Sequence, residues 1–151
     1  MTDKLIFPQL TRHEGRPMEK GRAFAYQDHL GFWTIGVGRL IDKRKGGGLT
    51  AEECDYLLAN DVGRFEAGLS AAIPWWITLD PVRRRVLLDM AFNLGVEGLL
   101  GFRRTLSFIK AGRYREAAAA MLESKWATQV GARAITLSKM METGKDPDWL
   151  K

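Results

Sequence analysis

One cysteine, Cys54, and two histidines, His13 and His29, are the whole stock of thiol and imidazole metal ligands in this chain. A single thiol closes no intramolecular disulfide and excludes a cysteine-rich metal centre, so the fold must stand on packing. A zinc site would have to lean on carboxylates, and neither a metal nor a cofactor is expected. Long apolar runs are missing too. The opening "MTDKLIFPQLTRHEGRPMEK" has no stretch of signal-peptide length, and no later window approaches a membrane span. The expectation is a protein held in the cytoplasm in which it is made, without stable membrane insertion, reaching any outside target with help.

What is present suits an ordinary globular chain. Of 151 residues, 46% are hydrophobic and 27% charged, enough for one core or for two lobes sharing a chain. The formal charge of +5 favours polyanionic partners: nucleic acid, an acidic membrane surface or a carboxylate-bearing wall polymer.

Periodicity orders the chain. Residues 3–13, "DKLIFPQLTRH", read as a short helix with Ile6, Phe7 and Leu10 as its apolar stripe, stopped by Gly15. From Phe24 to Ile41, aromatics and β-branched residues punctuated by Gly31, Gly36 and Gly38 predict two or three short antiparallel strands. Thr50 with Glu53 matches a capping box, and Cys54, Leu57, Leu58, Val62, Phe65, Leu69 and Ile73 follow at helical spacing. A long helix over about residues 51–71 is predicted. "IPWW" breaks it. Asp80 as N-cap and Pro81 in the first turn open another helix, whose Val82, Val86, Leu87, Met90 and Ala91 are the expected centre of a C-terminal core. Further helices are expected near 103–111, 114–123 and 131–142, with "AGR" and "ATQVG" as linkers.

The span from Arg12 to Leu40 carries the chemistry. Glu14, in the last turn of a helix, faces the negative end of the helix dipole; with partial burial, both effects disfavour its ionised form, as a general acid requires. The plainer account is a surface pair with Arg12 or Arg16. Asp28 ahead of Gly31 suits a turn-forming aspartate, and Thr34 suits a strand. Together, though, two acids and a hydroxyl form the set that inverting glycoside hydrolysis needs: one acid protonates the leaving oxygen, and a carboxylate activates water on the opposite face.

"HEG", then an aspartate and "TIGVGRL", with "DPVRRRVLLDMAFNLG", "GFRRTL" and "SKWATQVGARA" downstream, resembles the phage-type lysozymes, the endolysins of glycoside hydrolase family twenty-four, over about residues 7–144. The resemblance implies an α+β, two-lobed lysozyme-like fold. A small N-terminal β-hairpin lobe, about 14–60, is joined by the long helix to a larger all-helical C-terminal lobe, about 72–151, which also takes up the 3–13 helix. It implies Glu14 as proton donor, Asp28 as the residue that activates water and Thr34 as the group that steadies it. The five residues between Asp28 and Thr34 keep the family spacing; the thirteen between Glu14 and Asp28 exceed it, with "PMEKGRAFA" carrying the excess and Glu19 as another carboxylate within it. Leu40, Phe92, Asn93 and Thr105 fall where the family contacts saccharide, Leu40 and Phe92 being equally suited to core packing. Arg39 is expected to pair with Asp61, and Gln129 and Arg133 to support the structure.

The implied activity is a muramidase cutting between N-acetylmuramic acid and N-acetylglucosamine in peptidoglycan. The expected protein is a monomer in the host cytoplasm until release to the periplasm, with no nucleic-acid partner. A lytic transglycosylase, a virion-borne wall-degrading enzyme and a basic nucleic-acid-binding helical protein are the rivals. Arg83, Arg84 and Arg85 spread through about 200 degrees of a helix, so they cannot all face one ligand. With Arg103, Arg104, Arg113 and Arg115 they read as a solvated cationic surface offering a modest attraction to anionic walls.

Overall fold

The computed structural model describes Leu5, Pro8, Thr11, Arg12 and residues 16–41 and 48–150. Of the helix expected over 3–13, Pro8, Thr11 and Arg12 are helical; the rest of it apart from Leu5, its stop at Gly15, and Glu14 lie outside the described residues. The chain divides into two compact units, Met1–Leu57 and Leu58–Lys151.

The first unit is built from short strands. β1 (Met18–Glu19) and β2 (Arg22–Ala23) form a hairpin, with Met18 opposite Ala23 and Glu19 opposite Arg22. Its two-residue loop, Lys20 and Gly21, has φ of 49° and 75°. Positive φ at both positions matches the right-handed twist of a hairpin, and glycine takes it without steric cost. This hairpin is the lengthened "PMEKGRAFA" segment, which the strand pattern beginning at Phe24 does not anticipate. β3 (Tyr26–Gln27), β4 (Trp33–Ile35) and β5 (Arg39–Leu40) then form an antiparallel sheet in that order. Thr34 on the middle strand stands opposite Tyr26 on one side and Leu40 on the other.

α1 runs from Ala51 to Ala72, and the unit boundary falls within it. The Thr50 Oγ1 accepts from the Glu53 N–H at 3.2 Å, and the Glu53 carboxylate accepts from the Thr50 N–H at 2.7 Å, closing the expected capping box. The apolar stripe behaves differently along its length. Leu57 and Leu58 are exposed, whereas Phe65 and Leu69 join the core.

The second unit is helical: α2 (Pro81–Leu100), α3 (Arg103–Lys110), α4 (Tyr114–Leu122), α5 (Lys125–Val130) and α6 (Ala132–Thr143). Asp80 accepts from the Arg83 N–H at 3.0 Å and Pro81 takes the first turn, as the sequence predicts. α5 lies in part of the expected linker. Its start is set by the Ser124 hydroxyl, which accepts from the Ala127 N–H, and it is anchored by buried Trp126. The core gathers Val86, Leu87, Met90 and Ala91 of α2 with Ile109, Met121, Leu137 and Met141. α4 presents Ala117 and Ala118 inward, which keeps its neighbours close. Among the described residues, no helix is long and apolar enough to cross a membrane.

Arg83 departs from the solvated reading given to its arginine run. Its side chain is 14% exposed. It donates to the carbonyls of Met141 at 2.8 Å and Glu142 at 3.0 Å, satisfying the C-terminal end of α6, and to Asp80 at 2.7 Å. Its guanidinium also lies 3.7 Å from the Tyr114 ring centroid. Burial works against the Asp80 carboxylate, but the hydrogen bonds from Arg83 hold its pKa below the ordinary value.

Candidate active site

In the first unit the candidates Thr34 and Leu40 lie on β4 and β5, and Asp28 lies on the turn that joins β3 to β4. β3 leads into a tight turn whose hub is Asp28. Asp28 Oδ1 accepts from the N–H groups of Leu30 and Phe32, both at 2.9 Å. Its own backbone N–H donates to the Phe32 carbonyl at 2.9 Å, and its carbonyl accepts from Gly31. The turn role expected of an aspartate here is therefore real, and two backbone donors on Oδ1 fix the direction of the carboxylate.

Thr34 is 4% exposed and is the one buried side chain among the described residues of this unit. Its hydroxyl donates to the Phe32 carbonyl at 3.2 Å. Phe32 thus joins the two candidates: its N–H goes to the Asp28 carboxylate and its carbonyl takes the Thr34 hydroxyl. Leu40 is half-buried opposite Thr34.

Arg39 does not follow expectation. It pairs with Glu53, where the sequence suggested Asp61; Asp61 pairs with Arg64. The Arg39 guanidinium meets both carboxylate oxygens of Glu53, one at 2.6 Å, and its Nε donates to the Gly48 carbonyl at 3.0 Å. The hydrogen bonds from Arg39, and then that from the Thr50 backbone, lower the Glu53 pKa to about 2. The same contact raises that of Arg39. The β5 strand is in this way tied to the first turn of α1.

In the second unit, Asn93 and Thr105 stand near an unanticipated residue, Trp126, and Phe92 packs elsewhere. Phe92, 40% exposed, packs against Phe65 with centroids 5.2 Å apart and the rings tilted by 47°. Asn93 follows, two residues before Gly95, whose φ of 76° interrupts α2. Asn93 Oδ1 accepts from Trp126 Nε1 at 2.8 Å. Trp126 also meets Phe102 edge to face at 5.9 Å, and both line an open cavity with Thr105. Nothing but its place inside "SKWATQ" marks Trp126 in the sequence. Arg133 donates to Asp89 at 2.8 Å, joining α6 to α2, which is the supporting role expected of it.

Comparison with known proteins gives the arrangement its family. The family model described as phage lysozyme matches residues 16–141. A Dictyostelium discoideum protein described as "Probable T4-type lysozyme 1" is 28% identical across 92% of this chain and 94% of its own. A second, "Probable T4-type lysozyme 2", is 27% identical across 79% and 85%. The pre-baseplate central spike protein Gp5 of Enterobacteria phage T4 is 27% identical across 91% of this chain but 28% of its own length. The small β-sheet unit and the larger helical unit agree with the two-lobed α+β lysozyme fold. The chain belongs to the phage lysozyme family and is a glycoside hydrolase of the lysozyme type.

Proposed function

We propose that this lysozyme is an N-acetylmuramidase that hydrolyses the β-1,4 bond between N-acetylmuramic acid and N-acetylglucosamine in bacterial peptidoglycan, with inversion. Glu14 gives its proton to the glycosidic oxygen. The Asp28 carboxylate directs water to the anomeric carbon, and Thr34 steadies that water. Inverting hydrolysis separates these duties because acid and base act on opposite faces of the ring.

The observation that carries this reading is the hydrogen-bonded unit of Asp28, Phe32 and Thr34. A water-activating carboxylate must hold its direction through the reaction, and two backbone donors on one oxygen do so at no cost in reorganisation. Leu40, Phe92, Asn93 and Thr105 are assigned to the saccharide chain.

In the cell, the reading is an endolysin that waits in the host cytoplasm and lyses the wall once admitted to the periplasm. The second reading is a virion-borne role, which the similarity to the Gp5 spike protein supports and which leaves the chemistry unchanged. Lysis of permeabilised Gram-negative cells tests the assignment. Glu14→Gln and Asp28→Asn should each lose roughly a hundredfold or more in rate with the fold intact. A Glu14→Gln protein as active as the parent refutes it.

A further inference from the structure

The lengthened segment between Glu14 and Asp28 folds into the β1–β2 hairpin, and no residue of that hairpin is buried. Residues 16–25 are all exposed, and β1 with β2 forms a two-stranded sheet of its own, separate from β3, β4 and β5. A hairpin of two-residue strands without a packed face adds little to stability. What it does carry is charge. Arg16, Lys20 and Arg22 stand on it against one acid, Glu19. None of the three cations has an ion-pair partner among the described residues, although Arg22 is opposite Glu19 across the ladder. Arg39 of the same unit, by contrast, is fully engaged by Glu53 and Gly48.

Lys20 is also the one non-glycine residue with positive φ among the described residues, at 49°. Asparagine, aspartate or glycine suits that position of a two-residue hairpin loop at less steric cost. A lysine is thus held at the tip against its backbone preference with its ammonium unpaired, and local strain of this kind collects where a side chain is used.

Charge and connection indicate the partner. Unpaired guanidinium and ammonium groups select an anion. Met18 is opposite Ala23 on one face of the hairpin and Glu19 is opposite Arg22 on the other, so neither face is the broad apolar surface that insertion into a bilayer needs. Only Phe24 and Ala25 separate β2 from β3, whose Tyr26 is opposite Thr34. A polymer gripped by the hairpin is held by the same short segment that bears Asp28 and Thr34.

We infer that the β1–β2 hairpin is an added binding element for the wall polymer, with Arg16, Lys20 and Arg22 contacting the free carboxylates of its peptide stems. It sets affinity for charged wall and leaves the chemical step to the residues described above. Its use during cleavage rests on the muramidase reading; the binding itself does not.

Two measurements test it. In the first, binding of the full chain to purified sacculi is followed by sedimentation on ice. The Arg16→Ala, Lys20→Gly, Arg22→Ala triple variant should bind about tenfold more weakly at low salt, as expected of three exposed ion pairs, and the gap should close as salt rises. It should also vanish on sacculi whose carboxylates have been amidated. A charge-matched control, Lys110→Ala, Arg115→Ala, Lys139→Ala, takes three exposed cations from the helical unit and should stay within about twofold of the parent. Lys20→Gly alone should keep its Tm, since glycine takes this φ freely, and should weaken binding about twofold. A lower Tm with unchanged binding makes Lys20 structural and overturns its role. In the second measurement, cleavage of sacculi by the triple variant should show KM raised about tenfold with kcat unchanged.

Unchanged affinity in the triple variant, equal weakening in the control, a gap that survives amidation, or binding through these cations to phosphatidylglycerol vesicles in preference to sacculi overturns the proposal. A parent protein that binds sacculi through the three cations but releases no reducing ends supports the hairpin and overturns the muramidase reading, so the two failures are distinguishable.

Discussion

The two units are held together by different physics. Among its described residues the first buries one side chain, the hydroxyl-bearing Thr34, and is shaped by turns, ladder pairs and the Asp28 and Arg39 contacts. The second closes on Leu87, Met90, Leu99, Ile109, Met121 and Met141, all fully or almost fully buried. Burial at about 25 cal/mol per Å² makes such a core the source of stability. Directional hydrogen bonds contribute roughly 1 kcal/mol each but set angles that apolar contacts do not. The lesson is a division of labour: the helical unit supplies stability, and the sheet supplies aim.

If so, substitutions should separate the two properties. The largest effect is expected for Met90→Ala in the helical core, a loss of about 2–5 kcal/mol that thermal unfolding of the second unit would register. Arg83→Ala comes next. Removing it strands the Met141 and Glu142 carbonyls and the Asp80 carboxylate, and denaturant titration should show a cost of about 3 kcal/mol. Asp28→Ala should cost only about 1 kcal/mol while abolishing lysis, because it frees two backbone donors at the surface but removes the oriented carboxylate. A stability loss equal to that of Met90→Ala would erase the contrast between the units.

The smallest effect concerns Glu53. Its pKa is lowered on folding, so its contribution to stability is present above the ordinary carboxylate range and disappears as pH falls through about 2. Carboxyl-detected NMR should place its midpoint near that value, and Arg39→Ala should return it towards 4.5 without disturbing the second unit.

What the sequence disclosed follows from range. The Thr50–Glu53 box and the Asp80–Pro81 start depend on residues three positions apart or fewer, and both were legible. The role of Asp28 in its turn was legible for the same reason. The first hairpin carried its own sign, since Lys20–Gly21 is the kind of pair that accepts positive φ, but flanking strands of two residues leave no alternation to read. α5 hid because six residues span fewer than two turns and Gly131 follows directly. The partner of Arg39 was misassigned because a carboxylate already preorganised by the capping box competes better than one on an open helix face, which spacing alone does not reveal. Arg83 and Trp126 act across 58 and 33 positions of chain, and no local pattern encodes either.

The central claim is that water, positioned by Asp28 and Thr34, is the nucleophile. Digestion of sacculi in heavy-oxygen water followed by mass spectrometry of the muropeptides tests it most directly. The account predicts reducing muramic acid ends carrying one heavy oxygen, with uptake lost in Glu14→Gln and in Asp28→Asn. Anhydro-muramic ends without label, formed as readily by Asp28→Asn as by the parent, would contradict it.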